Sequence, residues 1–355
     1  MRWGLPKRTL VEMALTLPVR AAPPPPPLFS LRGHEGAVNA VCFVGDGSCL
    51  VSGDVDGKVK VWSLEGRNAV AELDDVHAHS VVSVVRVLDA AGCFATCSRD
   101  ATVKIWNLET CHSGGAPTSV LHTQARCFCN ASADIDSPSC DKNLLITAGA
   151  EESAVQLWDL RTASVVSVML MPQEQGIVSS LLLKTEASPS PLALVGCDDG
   201  SLSCVDLRLN SILSRVKLHE DEVGPQPLLT IASQPQAADG TLRLITGGGD
   251  CKLRRSGYNG SALETQDCAT LPSVGTSSIS VRCDGRLIAS GHWDKTVRLY
   301  DAKRLKPLAV LHHHKESVFG LGFGIRGTAS QGLMASSSKD GLIALWDILA
   351  GTMKG

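Results

Sequence analysis

The chain has 355 residues, of which 44% are hydrophobic but only 4% aromatic, and its formal net charge is −3. That balance argues against a surface broadly adapted to nucleic acid, and no apolar run reaches the 18 residues that a membrane-spanning helix needs. No secretory signal is evident. The thirteen cysteines fall mostly in strand-like stretches, such as those around Cys42, Cys93, Cys97 and Cys204, so they read as small reduced core side chains in the cytosol or nucleus.

Residues 1–27 stand apart from the rest of the chain. Arg2, Lys7, Arg8 and Arg20 face one acid, Glu12, and Pro23–Pro27 is a stiff extended run. The segment reads as a disordered basic, proline-rich leader, as an extended start ahead of an initiator at Met13, or as an organelle-targeting peptide. Leu28–Leu31 then reads as a short apolar strand before Gly33-His34.

From Cys49 to Leu64 the sequence spells a hairpin. Val59 and Val61 alternate with Lys58 and Lys60, the period of a half-buried strand. Asp54-Val55-Asp56-Gly57 supplies the turn and Trp62 the terminal aromatic. Asp56 precedes Trp62 by six residues, and the interval recurs. Asp100 precedes Trp106, Glu152 precedes Trp158, Asp294 precedes Tyr300 and Asp340 precedes Trp346. Asp199 and Asp250 lead to Val205 and Ser256, so those two copies are degenerate. Successive slots lie about 44 to 52 residues apart, the period of a four-stranded propeller blade.

These copies resemble WD40 repeats: Leu157-Trp158-Asp159-Leu160, Leu345-Trp346-Asp347-Ile348, and Gly33-His34 upstream of the first hairpin. The resemblance implies an all-β, seven-bladed propeller over residues 28–355. The last repeat supplies only three strands, so residues 28–31 are expected to add its fourth and close the ring.

In such repeats a buried polar relay links the loop to the hairpin. By resemblance it comprises His34, Ser52, Asp56 and Trp62 in repeat one, and His79, Thr96, Asp100 and Trp106 in repeat two. In repeat seven it comprises His313 or His314 with Ser336, Asp340 and Trp346. A His–Ser–Asp set also suggests a hydrolase triad. Here the set recurs with the blade period and has no Gly-x-Ser-x-Gly elbow, so it reads as structural. No catalytic residue, metal or cofactor is expected. Cys127-x-Cys129 with Cys140 and His122 lacks paired zinc-knuckle spacing. His312-His313-His314 cannot converge on one ion from a strand.

Residues 111–141 form an insertion rich in Gly, Pro, Ser and Asp, expected to hold a short strand at 126–130. In repeat five the outgoing strand, Lys252-Leu253-Arg254-Arg255-Ser256, reads as a degenerate blade with a charged strand or as a basic partner-facing edge. In repeat six Trp293 sits in the hairpin turn. Its counterparts are Val55, Arg99, Glu151, Asp198, Gly249 and Lys339, and together they are expected to ring one face. Arg99, Trp293 and Lys339 are the candidate partner-binding residues on that face; tryptophan and arginine are the residues most often found as interface anchors.

Ser278–Arg282, Gly291–Arg298 and Lys306–Leu311 are similar to the last third of the G-protein-β-subunit-like protein 1 and ASTRA-associated protein family, and Val195–Leu202 is similar to its middle repeat. His292 and residues 1–20 depart from that pattern. The resemblance implies a non-enzymatic, monomeric scaffold of cytoplasm and nucleus. It would act with the Triple-T co-chaperone complex in maturing phosphatidylinositol-3-kinase-related kinases, or in chromatin-linked ASTRA assemblies. The alternative is a ubiquitin-ligase substrate receptor or signalling adaptor. Protein partners are expected, without membrane or direct nucleic-acid binding. Pro18 and Pro23–Pro27 interrupt the helix that a true β subunit would use to hold a γ partner.

Overall fold

Alternating apolar stretches separated by Gly- and Asp-rich turns give short strands, and each run of four folds into one antiparallel sheet. The computed structural model describes residues 26–73, 76–87, 92–111, 115–134, 143–185, 190–235 and 239–348; residues 1–25 of the leader lie outside them.

Blade one contains Val38–Val44, Cys49–Asp54, Val59–Ser63 and Asn68–Leu73, paired in sequence order. Blades two, four, five and six repeat that order, and inner strands begin at Val81, Val178, Leu228 and Thr276. Blade seven takes Val318–Phe323, Leu333–Ser338 and Ile343–Asp347 from the end of the chain and Phe29–Leu31 from its start. Phe29 pairs with Leu345, Ser30 with Ala344 and Leu31 with Ile343, which closes the seven-bladed ring.

Blade three corrects the expectation for the insertion. Ser119–His122 serves as the outer strand of blade two, and residues 126–130 form no strand. Blade three has three strands, Leu144–Ala148, Ala154–Asp159 and Ser164–Leu170, with a single bridge from Ser132 to Ile146 on their inner side. Bends at Cys127 and Phe128 prevent the regular pleat that alternating residues would need.

Side chains rivet neighbouring inner strands around the channel. Asn39 donates to the Val81 carbonyl, and the Ala131 N–H donates to Ser83 Oγ. Asn130 clamps Leu181 through both of its backbone groups at 2.8 and 2.9 Å. Ser179 donates to Leu228 O, Ile279 N–H to Thr230 Oγ1, and Ser277 to Val318 O. Between blades seven and one the approach is closer: a Cβ on Gly320 would lie 3.1 Å from Asn39 O and 2.6 Å from Ser337 Oγ, so glycine is required there.

Leu31 is 1% exposed and packs with Val38, Phe43, Leu50 and Trp62 of blade one and Ile343 and Leu345 of blade seven. It therefore joins two blades as well as two strands. Leu31→Ala is expected to cost about 2–5 kcal/mol in denaturant unfolding, and deletion of residues 28–33 to lower the melting temperature of the whole domain. An unchanged melting temperature for the deletion would refute the closure role.

Candidate interaction face

Each hairpin turn is held to the loop that enters its blade. In blade one His34 Nδ1–H donates to Asp54 Oδ2 at 2.7 Å, and Nε2 lies 2.7 Å from Ser52 Oγ. The Trp62 indole N–H donates to the same hydroxyl at 2.8 Å. The bonds form one directed chain: indole N–H to serine oxygen, serine O–H to imidazole, imidazole N–H to carboxylate. Blade two repeats it through His77, Asp100, Thr96 and Trp106 at 2.8–3.0 Å. Blade seven repeats it through His314, Asp340, Ser336 and Trp346.

Two expected members are replaced. Asp54, not Asp56, accepts from His34, because Asp54 ends a buried strand whereas Asp56 is exposed in the turn. Asp54 also accepts the N–H groups of Asp56 and Lys58. In blade two the histidine is His77; His79 is exposed and contributes its carbonyl to Ser98. In blade seven it is His314, while His313 bonds Ser30 of the closing strand at 2.8 Å.

Blade five, expected to be degenerate, carries a relay that the aromatic slot concealed. His219 bonds Asp250 at 2.9 Å and Thr246 at 3.0 Å. Arg254 donates to Asp250 at 2.7 Å. That buried arginine accounts for the basic strand, which is therefore no free partner-facing edge, although Ser256 Oγ is left buried without a partner. A histidine just after the outer strand of blade four, as His314 and His34 follow the outer strands of blades six and seven, was the signal in the sequence. Blades three, four and six depart further. Thr147 receives the Trp158 indole N–H, Gln175 meets Cys197 and Ser203, and Asp294 binds Ser273, Thr296 and Arg298.

The Ser–His–Asp geometry has no access to substrate. Ser52, Thr96, Thr246 and Ser336 are all 0% exposed, and three of these hydroxyls are already occupied by an indole N–H. Burial lowers the pKa of His77, His219 and His314 despite their aspartates, and burial with the Arg298 charge takes His292 down to about 4. Burial also raises the carboxylates, but for Asp54 the His34 bond and charge together with the Lys58 and Asp56 N–H groups, and for Asp100 the Thr102 hydroxyl together with His77 and the Thr102 N–H, outweigh it and leave both below the usual range.

The relays fix the turns that form one face. The N–H groups of Val55, Arg99, Asp198, Gly249, Trp293 and Lys339 donate to the carbonyls of Ala37, Ser80, Ile177, Pro227, Gly275 and Ser317. Every acceptor is the residue just before an inner strand, so these six positions are equivalent. Glu151, in a longer turn, makes no such bond among those described. Trp293 is 43% exposed, yet its ring also lies on Gly275, where a Cβ would come within 2.1 Å of the indole. Lys339 is exposed and Arg99 half-buried.

One exposed aromatic was missed. Phe128, 68% exposed, lies beside the channel with the Arg99 guanidinium 4.1 Å from its ring centroid. Its only sequence signal is the rarity of phenylalanine in a turn-rich insertion. Glu151, Glu152, Glu174, Asp198 and Glu220–Glu222 are exposed over blades three to five, whereas Lys295, Lys315 and Lys339 lie over blades six and seven. The face is thus acidic over blades three to five and mixed over blades six and seven, where Lys315, Lys339 and Trp293 accompany the Lys295–Glu316 pair.

Thr96→Val keeps the shape but strips both His77 and Trp106 of their partner, so a loss of about 1–3 kcal/mol is expected in chemical denaturation. Thr96→Ser should restore most of it. Asp54→Asn should destabilise more than Asp56→Asn, which is expected to stay within about 0.5 kcal/mol. Because His77, His219, His292 and His314 bind protons less well than in the unfolded chain, the stability they contribute is complete above about pH 6.5 and falls as the pH drops toward their folded pKa. Each contributes up to about 1.4 kcal/mol per pH unit in that window. The melting temperature should therefore decline from pH 6.5 to pH 4.5, and less steeply in His292→Gln.

The model of the family WD domain, G-beta repeat matches residues 25–63, 71–107, 269–301 and 305–347. These are blades one, two, six and seven; the unmatched stretch holds the insertion and both slots without an aromatic. Guanine nucleotide-binding protein subunit beta-like protein 1 from Mus musculus is 28% identical, over 92% of this chain and 97% of its own. ASTRA-associated protein 1 from Verticillium alfalfae is 25% identical, over 91% and 93%. Its namesake from Aspergillus niger is 23% identical, over 88% and 83%. The chain is a WD40-repeat β-propeller protein, related over about nine-tenths of its length to these two groups.

Proposed function

We propose that this propeller is a non-enzymatic scaffold that binds proteins through the face formed by its hairpin turns. The observation that carries the reading is the set of six equivalent turn positions on a rigid frame, with Trp293 exposed among them and Phe128 exposed against Arg99. Large aromatics at a partly dry surface supply much contact area for little lost side-chain entropy, and arginine beside them adds planar hydrogen bonding. Trp293, Arg99 and Lys339 are the proposed anchors, joined by Phe128.

The proposed setting is co-chaperone-assisted maturation of phosphatidylinositol-3-kinase-related kinases, or a chromatin-linked assembly of the ASTRA type, in cytoplasm and nucleus. It is supported by the likeness to ASTRA-associated protein 1 along most of both chains. No helix among the described residues is long and apolar enough to cross a membrane.

Affinity purification with quantitative mass spectrometry, comparing wild type with Trp293→Ala and Phe128→Ala at matched expression, tests both levels. Co-chaperone subunits and giant kinases should be enriched by wild type and reduced about tenfold by a variant that removes an anchor worth roughly 1.4 kcal/mol. Enrichment untouched by either substitution would move the site elsewhere. Ubiquitin-ligase subunits in their place would overturn the setting in favour of a substrate receptor.

A further inference from the structure

The turn face lies at the start of the inner strands, so the far ends of those strands meet around the opposite mouth of the channel. There four blades carry a base. Arg86 ends Val81–Arg86 of blade two, and Lys184 ends Val178–Lys184 of blade four. Arg282 follows Thr276–Val281 of blade six, and Arg326 follows Val318–Phe323 of blade seven. All four line one cavity of 670 Å³, within the range of about 300–1,000 Å³ that holds small ligands. Phe43 and Phe323 form apolar parts of its wall. None of the described residues that line it is acidic, although the whole chain carries a net charge of −3.

Two carboxylates accompany this ring, and each leaves its partner with donors to spare. Lys184 Nζ donates to Asp134 Oδ1 at 2.8 Å, while the Thr185 N–H and hydroxyl donate to Oδ2 at 2.9 and 3.0 Å. An ammonium has three N–H groups, so Lys184 keeps two beyond that bond. Arg282 grips Asp284 through Nε at 3.0 Å and Nη2 at 2.7 Å, which leaves Nη1 outside the pair. The carboxylates therefore hold both cations in place without using up their hydrogen-bonding capacity. Arg326 is exposed.

We propose that this mouth of the channel binds a small, multiply phosphorylated anion, held by Arg86, Lys184, Arg282 and Arg326. A cleft lined by charge of one sign, with apolar walls, concentrates the field on an ion of the opposite sign. Arginine offers paired N–H groups that match two phosphate oxygens, and lysine offers a point charge. Bases drawn from four separate blades reach an anion from several directions, which suits several phosphate groups better than one carboxylate. Such groups occur both on soluble molecules and on lipid headgroups, and the test separates the two. The site lies at the opposite end of the inner strands from the turn face, so it stands independently of any protein that face binds.

The probe is inorganic tripolyphosphate, titrated calorimetrically into the full-length chain at low salt, with sodium sulfate alongside. Tripolyphosphate should bind at a single site, roughly tenfold or more tighter than sulfate, and should raise the melting temperature. Arg282→Gln and Arg326→Gln should each weaken it roughly tenfold, because each removes a charge-assisted contact. Lys306→Gln makes the same change of charge on the outer strand of blade six and should leave the affinity unaltered. Melting temperatures without the probe check that all three variants fold. Phosphatidylcholine vesicles with and without phosphatidylinositol bisphosphate then separate the sources. Retention that tripolyphosphate competes away assigns the anion to a headgroup, and retention no greater than on phosphatidylcholine alone assigns it to a soluble molecule. Absence of tripolyphosphate binding, or equal weakening by Lys306→Gln, would overturn the proposal.

Discussion

A sheet edge left unpaired is the constraint on which this structure depends. Six blades draw their strands from one continuous stretch, but the seventh ends with Ile343–Asp347 and lacks an outer partner there. Phe29–Leu31 supplies it from the other end of the described chain. Only three residues pair, so the backbone bonds are few. The binding strength comes from Leu31, which is buried against blades one and seven together. A ring closed this way leaves only the short strand Phe29–Leu31 at the outer edge of the seventh sheet, and a loss at the seam is felt by every blade because each packs only on its two neighbours.

Closure holds the blades side by side; the polar relays hold each blade's turn in place. Buried groups of this kind stabilise a structure only when every member is satisfied. In blades one, two and seven each member is satisfied in one directed sequence from tryptophan to aspartate. The blade-five relay carries no indole on its hydroxyl; Arg254 instead donates to its carboxylate end, at Asp250. The consequence for function is geometric. Turn backbones fixed at equivalent points can carry very different side chains without disturbing the frame, and so Val55, Arg99, Asp198, Trp293 and Lys339 present different chemistry from one scaffold.

Blade three is where that uniformity lapses. Its inner strand is reduced to one bridge at Ser132, its turn is longer, and its entering loop exposes Phe128. The space beside the channel that a regular strand would fill is instead occupied by an irregular loop, clamped by Asn130 and Arg99. An aromatic side chain is exposed there because the loop's bends free its backbone from ladder pairing.

The sequence by itself determined the number of blades, the positions of the hairpins and the identity of the closing strand. Each of these rests on local patterns: an alternation of two, a recurring interval from acid to aromatic, and a missing fourth strand in the last repeat. It also placed Ser52, Thr96, Asp100 and Asp340 in their blades, since residues close in the hairpin stay close in space. Only the tertiary structure decided between Asp54 and Asp56, between His77 and His79, and between His313 and His314. Those choices turn on which side chain reaches a buried hydroxyl some twenty residues away in the chain, a distance that no local spacing encodes. The relay of blade five and the exposure of Phe128 were set in the same way. His219 is matched to Asp250 across a blade boundary, and Phe128 is exposed because packing around the channel leaves its loop no strand to join.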